Sequence, residues 1–198
     1  MNKTFTATML CLAAASVYAE PANLENQKYF DSREMGISLG QAKINSTAAQ
    51  QAGVGQDIQF ANFYLQGQKD SVLVAAGIGF INFDDKDSIS QRVERNGSVS
   101  TETSSASGLS LNLEGGFRYN VSIINLDMLA GIEYFKASRK IENCTDCSEE
   151  DIEIDSGLYF KPRISAEFTP KFGMDLSYSV YTSSDLENSL ALSATFSY

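Results

Sequence analysis

The chain has 198 residues with 15 basic and 25 acidic side chains, a formal charge of −10 and no histidine. That length fits one domain, and the acidic balance argues against nucleic acid as a partner. The missing histidine removes the serine–histidine and histidine-bearing sites of envelope hydrolases and proteases, and no serine has a base beside it, so no catalytic residue is expected.

Residues 1–19 read as a cleaved secretory signal. Lys3 supplies the positive start, Met9 to Val17 a short apolar stretch, and Val17-Tyr18-Ala19 the small-x-small cleavage spacing. The stretch is too short to span a bilayer as a helix. Cys11 is a poor lipidation site, because Leu10 stands where a small residue is wanted. Cleavage after Ala19 leaves residues 20–198 as a single domain with 14 basic and 25 acidic side chains, a net charge of −11. The longest later apolar run, Val72 to Ile81, is about half the length of a spanning helix. Any entry into a membrane is therefore by strands.

From there the chain alternates with period two, the mark of a strand with one apolar face. Residues 29–42 alternate weakly, and 58–66 alternate with an expected slip near Phe63. Val72, Val74, Ala76, Ile78 and Phe80 then oppose Ser71, Ala75, Gly77 and Gly79. Leu109, Leu111, Leu113, Phe117 and Tyr119 oppose Ser110, Asn112, Glu114, Gly116 and Arg118. Ile124, Leu126, Met128, Ala130, Ile132 and Tyr134 oppose Asn125, Asp127, Gly131 and Glu133. Leu158, Phe160, Ile164, Ala166 and Phe168 oppose Tyr159, Lys161, Arg163, Ser165 and Glu167, with Pro162 marking an expected bulge. Phe172, Met174, Leu176, Tyr178 and Val180 oppose Gly173, Asp175, Ser177 and Ser179. Leu190, Leu192, Ala194, Phe196 and Tyr198 close the series.

Eight candidates of about nine to fourteen residues match the length of tilted transmembrane strands. Their connectors alternate between short (67–70, 120–122, 169–171) and long and polar (43–57, 84–105, 139–155), with a short last one near 183–186. In an antiparallel barrel this puts tight turns on one rim and long loops on the other. The pattern predicts an all-β, eight-stranded, antiparallel up-and-down transmembrane barrel, closed because hydrocarbon cannot satisfy an open sheet edge. A soluble barrel alternates in the same way with its apolar face inward. The membrane reading is favoured by small residues and paired charges on the polar face and by two aromatic groups at strand ends. The first is Tyr29, Phe30, Tyr64, Phe117, Tyr119, Phe168, Phe172, Phe196 and Tyr198. The second is Phe60, Phe80, Phe83, Tyr134, Phe135, Tyr159, Phe160 and Tyr181.

The leader, the eight alternating segments, the connector pattern and the terminal Leu192-Ser193-Ala194-Thr195-Phe196-Ser197-Tyr198 together resemble the small Gram-negative outer-membrane β-barrel superfamily of OmpA barrel domains and the OmpX/Ail type. The resemblance implies an outer-membrane location, contact with outer-membrane lipid and lipopolysaccharide, and an assembly signal at Phe196 and Tyr198 read by the barrel assembly machinery. It implies no cofactor and carries fold further than activity.

The polar face collects Glu114, Arg118, Asp127, Glu133, Lys161, Arg163, Glu167 and Asp175. Charges in a narrow lumen must pair, so a salt-bridged plug is expected there. A narrow porin-like channel is the alternative, should the network rearrange. Cys144 and Cys147 lie in a polar loop without the helix N-terminus of a redox motif or the further ligands of a zinc site, and read as a loop disulfide. The acidic run 149–155 lacks the ligand spacing of a calcium loop, so no metal site is assigned. Residues 96–108 form an expected flexible polar loop, a contact surface for a host, matrix or phage ligand.

Overall fold

The computed structural model describes residues 29–95, 98–141, 149–182 and 184–198, by backbone alone over 91–95 and 98–100. The expected leader and the Cys144/Cys147 pair lie outside the described residues. In chain order the elements are β1 (Ser32–Ile44), α1 (Ser46–Gln51), β2 (Val54–Lys69), β3 (Val72–Asp85), β4 (Ser90–Arg95), β5 (Ser98–Val121), β6 (Ile124–Ile141), β7 (Glu149–Ile152), β8 (Gly157–Thr169), β9 (Phe172–Tyr181) and β10 (Leu186–Ser197).

Eight of these strands, all except β4 and β7, pair antiparallel in sequence order, and β1 pairs with β10 to close the cylinder. Closure leaves no barrel edge to satisfy, the condition a sheet in hydrocarbon must meet. The barrel is inverted relative to a soluble one. Leu111 and Leu113 are 56% and 62% exposed on the outside, while Asp127 and Arg163 are 1% and 3% exposed inside. An apolar exterior over a charged interior is stable only against lipid.

The tight turns fall at Asp70–Ser71, Ser122–Ile123 and Pro170–Lys171, all on the rim that also holds Tyr198. Asp70 (φ 53°) and Ser122 (φ 60°) adopt the left-handed conformation that closes a two-residue hairpin. An aromatic group marks this rim: Phe172 stands 6.1 Å from Phe168 and 5.4 Å from Phe196 between ring centroids.

Several expectations are corrected. The alternation of β2 does not slip at Phe63, since its pairing with β1 runs unbroken from Asp57 to Gln68; its irregularity lies between Val54 and Ile58 on the β3 side. Pro162 makes no bulge, for the β8–β9 ladder resumes at Arg163 in the register it left at Phe160, and the shift comes later, at Glu167/Thr169. The long connectors are shorter than expected, because strands continue beyond the bilayer-spanning stretch. Residues 98–103 pair with β4 and 104–108 with β6, so most of the expected polar loop is sheet. Within residues 43–57, Asn45 caps α1 by accepting from the Thr47 N–H at 2.8 Å.

Candidate functional site: the ion-paired lumen and its external cap

Neighbouring strands set the lumen out in layers. At its centre the register places Arg118 of β5 opposite Asp127 of β6, and Asp127 opposite Arg163 of β8. One carboxylate thus serves two guanidiniums. Asp127 accepts from Arg118 Nε at 2.9 Å and Nη2 at 3.1 Å and from Arg163 Nε at 2.8 Å, and Arg163 Nη2 stands at ion-pair distance, 2.6 Å. Arg118 also donates to Glu34 (2.9 Å) and Gln68 (3.1 Å), and Arg163 to Gln66. Beside this row the Tyr64 hydroxyl donates to Asp175 at 2.9 Å. The Tyr64 ring reaches that far because it lies across Gly36, where a Cβ would sit 2.2 Å from it.

Toward the turn-bearing rim, Asn125 donates to the more exposed Glu167 at 2.7 Å beside a cavity of about 10 Å³. Toward the other rim lies a polar chamber of about 50 Å³, room for a few waters. In it Glu114 accepts from Lys161 and from the Tyr159 hydroxyl at 2.6 Å, and Glu133 accepts from the Tyr181 hydroxyl at 2.6 Å. Gly131 stands between Glu114 and Tyr159 in the register and leaves the gap the phenol crosses. Of the central row, Arg118 lines the smaller cavity, while Asp127 and Arg163, with Tyr64 and Asp175, line neither.

Above the chamber the interior turns apolar. Ile44, Ala49, Val54, Ile58, Ile81, Phe83, Phe135, Ile152 and Leu186 form a buried cluster, with Phe60 and Tyr181 against it. Phe60, Phe83, Phe135, Tyr159 and Tyr181, read from the sequence as a lipid-facing girdle, therefore turn inward, as Tyr64 does at the other end. Phe80 and Tyr134 stay on the outer phase. Arg139, 4% exposed, ties this cap together: it donates to Asp85 (2.7 Å), to Glu150 (2.8 Å), and to the carbonyls of Ala52 (3.1 Å) and Gly53 (2.9 Å). Gly53 has φ +64°, and a Cβ there would collide with Asp87 and Arg139.

All eight expected lumen charges fall on the inward phase, Glu167 exposed near the rim, but they do not form one network: Arg118–Asp127–Arg163 and Glu114–Lys161 are two ion-paired groups, and Glu133, Glu167 and Asp175 are each held separately by a neutral donor. Sequence reading missed Glu34, Tyr64, Gln66, Tyr159, Tyr181 and Arg139. Tyr159 was legible from its alternation phase beside Lys161; the partners of Arg139 are distant in the chain and give no local signal. Among the described residues no group of three or more His, Cys, Asp or Glu could hold a metal.

A closed antiparallel barrel with an apolar exterior and an ion-paired interior defines an outer-membrane barrel protein. The chain belongs to the outer membrane protein beta-barrel domain family, whose model matches residues 5–198. Its place is the outer membrane of a Gram-negative bacterium. Similar solved structures include a de novo designed transmembrane β-barrel (13% identity, 87% of this chain and 98% of that one, TM-score 0.49). The attachment invasion locus protein Ail of Yersinia pestis is 14% identical over 84% of this chain and 97% of its own, with TM-score 0.47. The N-terminal β-barrel domain of Pseudomonas aeruginosa OprF is 13% identical over 83% and 97%, with TM-score 0.46. No curated protein matches the chain by sequence.

Proposed function

We propose that the protein is a non-enzymatic barrel that acts through its external rim, giving envelope integrity or presenting its loops to a host, matrix or phage surface, rather than through its lumen. The carrying observation is the double closure of the interior, by the Arg118–Asp127–Arg163 row and by the apolar cluster above the chamber. Eight strands leave an interior that side chains nearly fill, and here the chamber and the smaller cavity lie on either side of the central row. The rim, by contrast, is built up: β5 and β6 run on past the barrel to pair with β4 and β7. In this reading Cys144 and Cys147 clip the β6–β7 connector, outer-membrane lipid and lipopolysaccharide surround the barrel wall, and Phe196 and Tyr198 form the signal taken by the barrel assembly machinery.

Planar-bilayer recording of the refolded protein tests this against the channel alternative. With insertion confirmed independently, the wild type and Glu114→Ala are both expected to be silent. Reproducible openings that the substitution alters would place function in the lumen.

A further inference from the structure

The hydrogen-bonded rows of the barrel climb as they go round it. Followed strand by strand from Arg33 on β1, through Gly115 on β5 and Phe160 on β8, a row returns to β1 at Lys43, ten residues nearer the external rim. With about 3.3 Å per residue and strands tilted by about 45°, each step to the next strand lifts the row by about 3 Å.

One such row is polar on the outside of the barrel. Gln41, Gln59, Asn82, Ser107 and Ser138 pair in sequence across β1, β2, β3, β5 and β6, all in the outward phase. The row beneath, Leu39, Ala61, Phe80 and Leu109, is apolar as far as Lys136. The upper edge of the lipid-facing belt therefore follows the hydrogen bonds of the sheet and not the membrane plane, and stands about 9 Å lower at Gln41 than at Ser107. The lower edge does not follow it. On β1 the belt ends at Arg33, whereas β5 stays apolar through Tyr119 and Val121, 70% and 48% exposed, to the turn at Ser122.

The belt is thus about 19 Å high on β1, from Arg33 to Gln41, and about 35 Å on β5, from Ser122 to Ser107. Tilting the barrel raises one side as it lowers the other and lengthens neither. A hydrocarbon core of about 25–30 Å suits β5 and is too thick for β1. The stem of Arg33 lets its guanidinium reach toward the rim, but the shorter amides of Gln41 and Gln59 have no such reach, and an amide left in hydrocarbon without a partner is costly.

From this geometry we infer that the outer face of β1 and β2 is a binding surface for the polar headgroups of outer-leaflet lipid, which descend to Gln41 and Gln59 and leave the bilayer thinner beside β1 than beside β5. Local thinning is one of the ways a short apolar span meets a thicker bilayer, and here the sheet register confines it to one side of the barrel. The inference concerns the wall and not the lumen or the external loops, so it stands or falls separately from the proposed function.

The test compares nitroxide labels on single cysteines at Gln41, Ile132 and Tyr134, with Cys144 and Cys147 replaced by serine, in phosphatidylcholine vesicles. Ile132 shares a row with Met35 but lies four strands on, which brings it level with residue 40, so Gln41 falls between Ile132 and Tyr134 in height. Depth is read by power saturation with oxygen and with a water-soluble nickel chelate. The label at 41 is expected at headgroup level, with those at 134 and 132 about 5 and 10 Å deeper. Adding Gln59→Leu/Asn82→Leu to the protein labelled at 41 is expected to draw that label down to a depth between the other two. A label at 41 that already reads between 132 and 134 would overturn the inference, as would a depth that the double substitution leaves unchanged. A label at 41 reached by neither reagent, with spin–spin broadening relieved by unlabelled protein, would show a second copy of the chain on this face instead of lipid and would overturn it too.

Discussion

Replacing Asp127 with alanine is expected to destabilise the barrel by about 3–5 kcal/mol, the cost of breaking a buried ion pair from one side. Asp127 is 1% exposed and joins β5 to β8 across β6 by accepting from both arginines. Without it, Arg118 retains Glu34 and Gln68 and Arg163 retains Gln66, but two guanidiniums then face each other across a gap. Asp127→Asn, which keeps the shape and one acceptor, should fall between wild type and alanine. A triple replacement of Arg118, Asp127 and Arg163 by apolar residues of similar size should cost far less than the single alanine, because it removes the charges together. The chain has no tryptophan, so urea unfolding is followed by circular dichroism and by gel mobility before and after boiling. An alanine variant within about 1 kcal/mol of wild type would show that the row contributes little.

Replacing Arg139 with alanine is expected to loosen the external cap by roughly 3 kcal/mol while leaving the transmembrane body folded. Its guanidinium joins three separate connectors: the turn after α1 through the Ala52 and Gly53 carbonyls, the end of β3 through Asp85, and β7 through Glu150. Asp85 keeps the Ser104 hydroxyl at 2.7 Å but loses its only cationic partner among the described residues, with its side chain 8% exposed. Hydrogen exchange should accelerate in α1 and at the start of β2, where Ala49 and Val54 sit in the apolar cluster, and stay unchanged around Asp127. Lost protection spread evenly over the barrel would mean that the cap and the body unfold as one unit.

The period-two pattern disclosed the fold because a barrel in lipid has one apolar face along nearly its whole length, as in Leu109 to Tyr119 and Leu190 to Tyr198. It misled where both faces are apolar. Ile58 and Phe60 of β2 point into the cap while Phe63 and Leu65 point to lipid, and the mixture reads as a slip although the register is unbroken. Aromatic residues misled for the same reason: Phe83, Phe135 and Tyr181 stand at strand ends, where girdles are expected, yet serve the interior. The lumen charges were legible because a charge on a strand flanked by leucines must face inward. Their grouping was not, since the link from Tyr64 to Asp175 spans 111 residues and depends on the space over Gly36. Glu34 and Gln66 were hidden by the weak alternation of β1 and the misread phase of β2.

The inverted barrel is tested most directly by single cysteines at Leu111, Asn112 and Leu113, in a background with Cys144 and Cys147 replaced by serine. Each is labelled with a fluorophore in refolded protein in vesicles carrying a lipid-attached quencher. Strong quenching is expected at positions 111 and 113 and little at 112, where the side chain faces the chamber. Equal quenching at all three, or quenching confined to 112, would contradict it.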